Sequence, residues 1–385
     1  MKNRNNTMKL AIVSETYTPE INGVALTVAS LVDNLSRLGH DVLLIRPRQS
    51  GEPVDTTSPQ ECTVRGAPIP GYSNLRFGLP SPGRMRKVLT KQRPDAMYVA
   101  TEGPLGWAAV QAANALGIPV ATGFHTRFDI YSEHYGFGFA MPLVESWLRR
   151  FHNRAATTLV PTRALAEELE QLGVVNTTLL ERAVDCKRFS PGYRCREVRS
   201  SWGVNDADPV WLHVGRLAAE KNLEQMFSAW QLACQDNERP PRLVIAGDGP
   251  IRQGLQSRHP DVLFLGQQTG LDLSRTYACA DAFLFPSRSE TFGNVVLEAL
   301  ASGLPVVAYD QAAAGTFVRD GVTGYLAPSD QRNGFQQAVS KLLNANASLD
   351  REYARLSVTR LRPIDVARRF AEILRSLRGG ESMAA

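Results

Sequence analysis

The sequence predicts an α/β protein with two domains, each built on a parallel β-sheet, and three observations support this class. Short apolar segments alternate with helical patterns along most of the chain. The alternation falls into two blocks, which a polar, turn-rich stretch at residues 181–209 separates. The chain of 385 residues is also too long for one ordinary hydrophobic core and suits two domains of roughly 170–190 residues.

The first block alternates strand-like and helix-like segments from the N-terminal segment KLAIVS onward. DVLLIRP, DAMYVAT and PVATGFH are further strand-like segments, and GVALTVASLVDNLSRLG and GPLGWAAVQAANALG are typical of helices. Gly39 and Gly117 stand where these helices would end. Because strand, helix and strand at this spacing indicate crossover units in a parallel sheet, we predict a Rossmann-like domain over residues 8–185.

The second block repeats the pattern. Its strand-like segments are PVWLHVG, PRLVIAG, DVLFLG, AFLFPS and PVVAYD, and its helix-like segments include LEQMFSAWQLAC and LSRTYACAD. We predict a second Rossmann-like domain over residues 209–363, joined to the first by a linker over residues 186–208. Two such domains are expected to face each other across a cleft that strand C-termini and helix N-termini line.

Composition and charge narrow the class of protein further. The apolar content is 43% and the charged content 21%, which is typical of a soluble globular chain. The start lacks the apolar region of a signal peptide, no run of about eighteen apolar residues occurs, and the five cysteines form no CxxC pair. We therefore expect a cytoplasmic protein. The net charge is +5, and no nucleic-acid motif accompanies the basic residues, so no nucleic-acid partner is expected.

The segment SETFGNVVLEALASGLPVV, residues 289–307, is the first candidate for a functional site. It predicts a loop over residues 287–293 and a helix that begins at about residue 294. Glu290 lies in this loop, and Phe292 and Gly293 are predicted to form the tight turn before the helix.

The start of this helix is a predicted anion site. The backbone N–H groups of Gly293, Asn294 and Val295 lie at the positive end of the helix dipole, where a phosphate would fit. Glu290 is either a residue of that site or a first-turn acid that helps to cap the helix. Glu298, inside the apolar run VVLEALA, needs a partner for its carboxylate, which is either a salt bridge within the domain or the hydroxyl groups of a ligand.

The segment LHVGRLAAEKNLEQ is the second candidate. A predicted strand ends at Gly215, Arg216 follows in the loop, and Lys221 lies where the next helix is predicted to begin. A cation at a helix start opposes the helix dipole, so an anion is expected alongside it. The alternative is a pair of surface salt bridges.

Together, these two segments resemble the motifs of the retaining family 4 glycosyltransferases. Glu290 and Glu298 match the E-x7-E pattern of that family, and residues 215–222 match its glycine-arginine and glutamate-lysine-asparagine pattern. The resemblance extends over nearly the whole chain and implies the GT-B fold, with the acceptor mainly on the first domain and the sugar nucleotide mainly on the second. It also implies that the C-terminal helix, residues 364–378, packs back on the first domain.

The resemblance implies a role for each matching residue. Glu290 would contact hydroxyl groups of the donor sugar, the backbone of residues 292–295 would hold the diphosphate, and Glu298 would bind the ribose. Arg216 and Lys221 would clamp the diphosphate.

A clamp of fixed cations would replace the metal ion that an Asp-x-Asp motif commonly holds in sugar transferases. Asp206-Ala207-Asp208 is the only such triplet, and it lies in the predicted linker, where it is typical of a solvated turn. We therefore expect no metal, and no cofactor besides the sugar nucleotide, which is a co-substrate.

The loop that follows the first strand, in SETYTPEINGVALTV, lacks a GxGxxG motif, which argues against NAD. The resemblance places Gly23 near the donor diphosphate, where a side chain would collide, and the alternative is an ordinary N-cap glycine. Tyr17 in the same loop is a candidate for contacting the acceptor.

Two polar residues stand at the ends of predicted strands. For His125, in GFHTRF, the resemblance implies contact with the donor sugar near the reacting carbon, and the alternative is a packing or hydrogen-bonding role. Glu102, in ATEGPLG, is either an acceptor-binding residue or a helix-cap acid.

The stretch from Arg65 to Arg93 contains seven basic residues and no acidic one. Within it, SPGRMRKVLTKQRP predicts a helix with Met85, Val88 and Leu89 on one face, the pattern of a helix in an anionic membrane interface. The surrounding basic residues are Arg84, Arg86, Lys87 and Lys91. The alternative is a surface helix with a solvated basic side. Residues 145–156, ESWLRRFHNRAA, are predicted to extend this surface.

These expectations combine into one predicted function. The motifs are most similar to those of bacterial enzymes that glycosylate lipids, including GDP-mannose-dependent α-mannosyltransferases and sulfoquinovosyl and glucosyl diacylglycerol synthases. The resemblance implies a retaining hexosyltransferase that uses GDP-mannose or a UDP-hexose and forms an α-glycosidic bond to a hydroxyl of a lipid or glycolipid. Such an enzyme would be peripheral on the cytoplasmic face of the cell membrane. A GT-B sugar-nucleotide epimerase and a non-catalytic nucleotide-sugar-binding protein are the alternatives.

Overall fold

The chain folds into two compact units. Unit 1 comprises Met1–Ala183 and Pro363–Ala385, and unit 2 comprises Val184–Arg362. The structure is a computed structural model, and it describes residues 7–20, 22–49, 52, 58, 60–69, 72–79, 81–125, 141–235, 237–331, 333–344 and 349–379.

Unit 1 is built on a parallel sheet, as the alternating pattern of the first block predicts. Its strands are β1 (Lys9–Val13), β2 (Asp41–Pro47), β3 (Glu61–Val64), β6 (Ala96–Val99), β7 (Val120–Gly123), β8 (Thr157–Val160) and β9 (Thr177–Leu179), in the spatial order β3-β2-β1-β6-β7-β8-β9. An antiparallel hairpin of β4 (Gly66–Ile69) and β5 (Tyr72–Gly78) follows β3. The sequence analysis did not identify β3 or this hairpin.

The helices of unit 1 cover both faces of its sheet. Before the last helix of the chain, they are α1 (Gly23–Arg37), α2 (Pro82–Gln92), α3 (Pro104–Ala115), α4 (Met141–His152) and α5 (Arg163–Gln171). Asn22 caps α1, since its side-chain oxygen accepts a hydrogen bond from the Ala25 N–H at 2.8 Å. Buried side chains of α1 pack with β1 and β2 in one apolar cluster, and those of α2 and α3 pack with the same strands in another.

Unit 2 has the same layered plan. Its strands are β10 (Val210–Val214), β11 (Arg242–Ala246), β12 (Leu263–Gly266), β13 (Ala282–Phe285), β14 (Val306–Tyr309) and β15 (Gly324–Ala327), in the order β12-β11-β10-β13-β14-β15. Its helices are α6 (Arg196–Ser201), α7 (Leu223–Gln235), α8 (Arg252–Arg258), α9 (Gly270–Ala278), α10 (Asn294–Ala301), α11 (Ala312–Phe317), α12 (Gly334–Asn344) and α13 (Arg351–Val358). The paired strands run parallel, and apolar clusters fill both faces of the sheet.

The last helix of the chain, α14 (Pro363–Ser376), lies with unit 1 rather than with the unit that precedes it. Phe370 is fully buried in the same apolar cluster as Leu10 and Leu35, and its ring meets the Tyr98 ring edge-on with the centroids 5.0 Å apart. The chain therefore returns to its first unit because the apolar face of α14 completes the core of that unit.

Residues 186–208, predicted as a linker, are an integral part of unit 2. Arg199 on α6 is 1% exposed, and its guanidinium donates to the backbone oxygens of Asn205, Cys279 and Asp208 and lies 3.1 Å from an Asp281 carboxylate oxygen. A polar and turn-rich composition indicated solvent exposure, but here these polar groups bond one another and the end of α9. The prediction of a separate linker is therefore wrong.

Both sheets have a point at which the strand order reverses. In unit 1, β1 lies between β2 and β6, and in unit 2, β10 lies between β11 and β13. Loops that leave the two central strands in opposite directions open a crevice at the carboxyl ends of these strands. The loops after β1, β6, β10 and β13 are therefore the places to look for bound ligands.

Among the described residues, none of the helices has both the length and the hydropathy needed to cross a bilayer.

Arg199 offers a test of how α6 is anchored in unit 2. Arg199→Leu should lower the free energy of unfolding by about 3–5 kcal/mol, because it leaves three backbone carbonyls without this buried donor, and each unpaired buried acceptor costs about 1–3 kcal/mol. Urea unfolding of the two proteins measures the difference. Arg196→Leu is the matched control, since Arg196 on the same helix is 85% exposed and pairs with Asp206 at the surface, so its loss should cost at most about 1 kcal/mol. Equal effects of the two substitutions would contradict this account.

Candidate functional site

The loops after β10 and β13 meet at the strand-order reversal of unit 2. The first loop runs from Gly215 through a 3-10 turn at Ala219–Lys221 to Asn222, which is left-handed (φ 55°), and α7 begins at the next residue. Lys221 therefore lies just before α7 rather than in its first turn. The second loop leads from β13 to Gly293, and α10 begins at Asn294, as the sequence predicts.

Lys221 and Glu290 connect these two loops. The Lys221 Nζ donates to Glu290 Oε1 at 2.6 Å, and both side chains are largely buried, with exposed fractions of 13% and 15%. The sequence analysis expected an anion beside Lys221, and Glu290, 69 residues away in the chain, is one such anion. Glu290 thus forms an ion pair with Lys221, and the N-cap residue of α10 is Gly293, which provides no side-chain cap. The positive charge of Lys221 and the negative charge of Glu290 therefore compensate each other at the edge of the sheet where the strands have their C-terminal ends.

The turn before α10 has a conformation that favours glycine. Gly293 has φ 86°, and a Cβ there would lie 3.2 Å from the Phe285 ring. Phe292 is buried, and its carbonyl accepts from the Ala313 N–H at 2.8 Å. The first turn of α10 begins with Asn294 and Val295, both partly exposed. Because a helix start concentrates backbone N–H groups, this end of α10 is suited to an anion.

Arg216 and the loop around Gly215 complete the edge of this site. The Arg216 Nη1 lies 3.8 Å from the carboxylate of Glu220, and the Arg216 side chain is 38% exposed. Glu220 is buried, and neither of its carboxylate oxygens has a hydrogen-bond partner among the described residues. A Cβ on Gly247 would lie 1.9 Å from the Gly215 carbonyl oxygen, so the loops after β10 and β11 pack backbone against backbone.

His213 lies beneath this loop and was not identified from the sequence. It is fully buried on β10, and its Nδ1–H donates to the Leu284 carbonyl at 2.9 Å. Burial lowers its pKa from 6.5 to about 4, and the nearby Lys221 charge acts in the same direction, so the ring is neutral. Its charge therefore does not compete with Lys221 for an anion.

Glu298 lies on the second turn of α10 and is held by a buried tyrosine. The Tyr277 hydroxyl donates to Glu298 Oε2 at 2.9 Å. Burial raises the pKa of Glu298, and the Tyr277 hydrogen bond opposes that shift. The sequence analysis left a salt bridge or ligand hydroxyls as its partners, and the observed partner is a neutral hydroxyl. Glu298 remains partly exposed.

The Asp206-Ala207-Asp208 triplet is engaged in local contacts. Asp206 pairs with Arg196 at 2.8 Å, and Asp208 accepts from the Asn205 N–H at 2.8 Å. Within the described ranges, the His, Cys, Asp and Glu side chains form no group of three that could hold a metal ion.

At the strand-order reversal of unit 1, Glu15 is buried at the end of β1, where the sequence analysis did not single it out. Its carboxylate accepts from the Gly78 N–H at 3.0 Å and from the Leu105 N–H at 2.9 Å in the first turn of α3. Burial raises its pKa from 4.5 to about 7, although the backbone N–H donors oppose the shift. The chain's own carboxylate thus occupies the start of α3.

The predicted residues of the loop after β1 take ordinary positions in unit 1. Gly23 is the first residue of α1 and is exposed, and the N-cap is Asn22 rather than Gly23. Tyr17 is half-buried against the apolar cluster of α1 and α14, and burial raises the pKa of its hydroxyl.

His125 follows β7 and is held by two residues that the sequence analysis did not identify. Its Nε2 lies 2.6 Å from the Tyr98 hydroxyl, and its Nδ1 lies 2.6 Å from the Arg182 Nη2. Burial, the Arg182 charge and His152 hold the pKa of His125 well below 6.5. His125 is thus a neutral, hydrogen-bonded ring at the carboxyl edge of the sheet. Residues 126–136, the remainder of the predicted segment, lie outside the described residues.

Glu102 is buried beside a second histidine. Its carboxylate lies 3.5 Å from His152 Nε2, and the His152 Nδ1 bonds the Thr122 hydroxyl at 2.9 Å. Trp147 on α4 donates its indole N–H to the Glu102 carbonyl at 3.1 Å. Glu102 therefore connects the loop after β6 to α4.

The predicted interface helix, α2, does not present an apolar face to solvent. Met85 and Leu89 are 4% and 1% exposed, because this face packs against α3 and the sheet. An amphipathic pattern indicates an apolar face but not the surface that covers it. The prediction that this helix lies in a membrane interface is therefore wrong as regards its apolar residues. The basic residues remain at the surface: Arg86, Lys87 and Lys91 are exposed, and Arg84 donates to the Thr63 carbonyl at 3.1 Å.

A different helix of unit 1 combines exposed apolar and basic residues. On α4, Leu143 is 75% exposed and Trp147 is 38% exposed. The guanidinium carbon atoms of Arg150 and Arg154 lie 5.6 and 5.1 Å from the centroid of the Trp107 ring, next to Trp147. Spacings of four and three residues place Leu143, Trp147 and Arg150 along one side of α4, and Arg154 follows two residues after the end of the helix.

Comparison with known proteins identifies the family. Residues 21–188 match the family described as Glycosyltransferase Family 4, and residues 208–345 match Glycosyl transferases group 1. A GDP-mannose-dependent alpha-mannosyltransferase of Mycolicibacterium smegmatis is 36% identical over 336 residues, which cover 86% of this chain and 87% of the relative. The chain belongs to glycosyltransferase family 4.

Two further similarities agree with this assignment. An alpha-monoglucosyldiacylglycerol synthase of Streptococcus pneumoniae is 25% identical, over 83% of this chain and 75% of the relative. A sucrose-phosphate synthase structure from Thermosynechococcus elongatus superposes with a TM-score of 0.77 at 19% identity, over 97% of this chain and 100% of that chain. The family and the GT-B fold class predicted from the sequence are confirmed, and the protein is a sugar-nucleotide-dependent glycosyltransferase.

Glu15 makes the stability of this glycosyltransferase depend on pH. Because its pKa is about 7 in the folded protein and near 4.5 when unfolded, the folded chain keeps a proton that the unfolded chain loses. This contribution is complete below pH 4.5 and is lost as the pH rises through 7. Between about pH 5 and 8, the free energy of unfolding of the wild type should fall by about 2–3 kcal/mol more than that of Glu15→Gln.

Urea unfolding at several pH values measures this difference. Glu167→Gln is the control, since Glu167 is exposed on α5 and its loss should leave the pH dependence of the wild type unchanged. Parallel pH profiles of the wild type and Glu15→Gln would contradict the assignment.

Proposed function

We propose that this glycosyltransferase moves a hexosyl group from GDP-mannose or a UDP-hexose to a hydroxyl of a lipid or glycolipid at the cytoplasmic membrane face. In the proposed reaction, the anomeric configuration is retained and an α-glycosidic bond forms. The observation that supports it best is the Lys221–Glu290 pair at the strand-order reversal of unit 2. The Lys221 ammonium and the Glu290 carboxylate lie 2.6 Å apart. The ammonium can bind a phosphate, and the carboxylate can accept hydrogen bonds from sugar hydroxyls.

The diphosphate is proposed to bind Lys221, Arg216 and the backbone at the start of α10. Lys221 lies at the end of the loop after β10, and the α10 start lies at the end of the loop after β13, next to Glu290. A point charge, a guanidinium and a helix N-terminus are three established ways to bind phosphate oxygens. Residues 292–295 would contribute the backbone of this site, and Gly215 would allow close approach to it.

Glu290 and Glu298 are proposed as hydroxyl acceptors. A carboxylate that accepts hydrogen bonds suits sugar hydroxyls, and Glu290 would exchange part of its contact with Lys221 for the donor sugar. Glu298 stands on the second turn of α10, and its hydrogen bond with the Tyr277 hydroxyl would hold the carboxylate in place for a ribose. Gly23 and His125 of unit 1 are proposed to contribute to the donor site as the family resemblance implies.

The departing phosphate is proposed to take the proton of the acceptor hydroxyl in a front-side attack. His125 is an unsuitable base, because its Nδ1 accepts from Arg182 and burial keeps the pKa of the ring well below 6.5. Lys221 and Arg216 would then stabilise the charge that develops on the leaving diphosphate, in place of a metal ion.

The lipid acceptor and the membrane are supported by a surface and by relatives. Leu143 and Trp147 stand exposed on α4 beside Arg150 and Arg154, a combination suited to an anionic interface. The basic residues of α2 would add long-range attraction to anionic lipids without inserting. One relative is named for a diacylglycerol product, and another is named for GDP-mannose. Tyr17 and Glu102 stay proposed contacts for the acceptor.

A product assay tests the function. The purified protein is incubated with membrane lipid extract and separately with GDP-mannose, UDP-glucose, UDP-galactose and UDP-glucuronate, with and without EDTA. We expect a glycolipid from one donor, in equal yield with EDTA, and an α linkage in its NMR spectrum. Loss of activity in EDTA would contradict the metal-free proposal. Isomerised or hydrolysed donor without acceptor would indicate an epimerase, and donor binding without any product would indicate a non-catalytic binding protein.

Lys221→Ala tests the diphosphate contact. Removing one preorganised donor to the leaving group should lower kcat/KM roughly 10²–10³-fold, a loss of a few kcal/mol in transition-state binding. Lys341→Ala is the matched control, because Lys341 is exposed on α12 in the same unit, and it should keep wild-type turnover. Wild-type turnover in Lys221→Ala would contradict the proposal.

The membrane contact is tested with vesicles that contain anionic phospholipid. Replacing Leu143 and Trp147 by Ser should weaken vesicle binding roughly tenfold or more, since each side chain would bury apolar surface in the interface. Leu356→Ser is the control, because Leu356 is 56% exposed but lies in unit 2. Replacing the four basic residues of α2 by Ser should weaken binding at low salt and have less effect at high salt. Unchanged binding of the Leu143 and Trp147 variant would exclude α4 as the contact.

A further inference from the structure

Arg182 and Tyr98 hold the two ring nitrogens of His125 from opposite sides. The Arg182 Nη2 lies 2.6 Å from Nδ1, and the Tyr98 hydroxyl lies 2.6 Å from Nε2. The three residues come from distant parts of the unit 1 sequence, since Tyr98 is on β6 and Arg182 follows β9. A Cβ on Gly123 would lie 2.0 Å from the Tyr98 oxygen and 2.6 Å from the His125 Nε2. The contact between Tyr98 and His125 therefore requires a glycine at position 123.

The chemistry of these partners decides where the ring proton lies. A guanidinium has only N–H donors, so the Nδ1 that faces Arg182 must present its lone pair. A neutral imidazole has one proton, and it therefore lies on Nε2, which donates to the Tyr98 oxygen. The opposite tautomer would place two N–H groups against each other at 2.6 Å.

The electrostatics around the ring keep it neutral. None of the described carboxylates forms an ion pair with Arg182, whose side chain is partly buried and whose pKa burial lowers. Burial, the Arg182 charge and His152 on α4 all lower the pKa of His125. The carboxylate near this group is that of Glu102, which lies close to Tyr98. An imidazolium would lie beside a guanidinium that none of these groups neutralises.

We propose that Arg182 is a positioning residue that keeps His125 in its Nε2–H form, so that the ring offers a hydrogen-bond donor rather than a base. In this structure, the Nε2–H bonds Tyr98. Under the proposed function, the same N–H would exchange Tyr98 for an oxygen of the transferred sugar. The role in catalysis rests on the proposed function, whereas the position of the proton does not.

Nitrogen-15 NMR of histidine-labelled protein tests the position of the proton directly. Long-range proton–nitrogen correlations distinguish the two tautomers, and His125→Asn assigns the His125 signals among the six histidines. In the wild type, we expect an unprotonated Nδ1 and a protonated Nε2 from pH 8 down to about pH 6. An Nδ1–H tautomer, or an imidazolium in this range, would overturn the proposal.

Substitutions then test whether Arg182 is the cause. Arg182→Met removes the donor, and we expect a mixture of tautomers and a higher pKa for His125. Arg182→Lys keeps a cationic donor, and we expect the wild-type tautomer. Arg163→Met is the control, since Arg163 is exposed on α5, and it should leave the His125 signals unchanged. If Arg182→Met keeps the wild-type tautomer and pKa, the proposal is wrong.

The transfer assay provides a readout that a purely structural role would not change. At neutral pH, kcat/KM of Arg182→Met should fall about tenfold, the size expected for one hydrogen bond. An imidazolium has protons on both nitrogens, so the ratio of variant to wild-type kcat/KM should rise as the pH falls from about 8 to 6. A ratio that does not change with pH would overturn the positioning role. If no transfer is detected at all, the proposed function fails, and the NMR result still decides the position of the proton.

Discussion

The contact between Lys221 and Glu290 is the interaction on which the candidate site of unit 2 depends. It joins the loop after β10 to the loop after β13, at the point where the strand order of unit 2 reverses. Two largely buried charges at 2.6 Å are stable there because each compensates the other, and both remain beside the start of α10. A sugar nucleotide needs the same two chemistries, a cation for phosphate and an acceptor for hydroxyls.

The two units use their strand-order reversals differently. In unit 1, the Glu15 carboxylate accepts N–H groups from β5 and the first turn of α3, so the chain supplies its own anion to that helix start. In unit 2, the N-cap residue of α10 is Gly293, which provides no side-chain cap, and the Glu290 carboxylate accepts from Lys221. A helix start that is filled from within is unavailable to a ligand phosphate. The contrast supports the proposal that the diphosphate binds in unit 2, although both units share one fold plan.

Much of the fold and part of the site followed from the sequence, for physical reasons. Periodicity predicted the parallel strands, and the spacing of Glu290 and Glu298 placed them on a loop and a helix, because these signals are local. Tyr98 and Arg182 were missed, since they meet His125 from 27 and 57 residues away. The apolar residues of α2 are spaced as in a helix that lies in a membrane interface, but they pack against α3. Polar residues 186–208 suggested a linker, because sequence does not show that Arg199 bonds the end of α9.

The central claim is that Lys221 binds the diphosphate and Glu290 binds the sugar. Calorimetric titration of the free nucleoside diphosphate and of its sugar nucleotide into Lys221→Met and Glu290→Gln tests it most directly. Lys221→Met should weaken both ligands alike. Glu290→Gln should weaken the sugar nucleotide by roughly tenfold or more while leaving the nucleoside diphosphate bound at least as tightly as in the wild type, because a competing carboxylate is removed. If Glu290→Gln weakens both ligands equally, Glu290 acts only by holding Lys221, and the assignment of the sugar to this carboxylate is wrong.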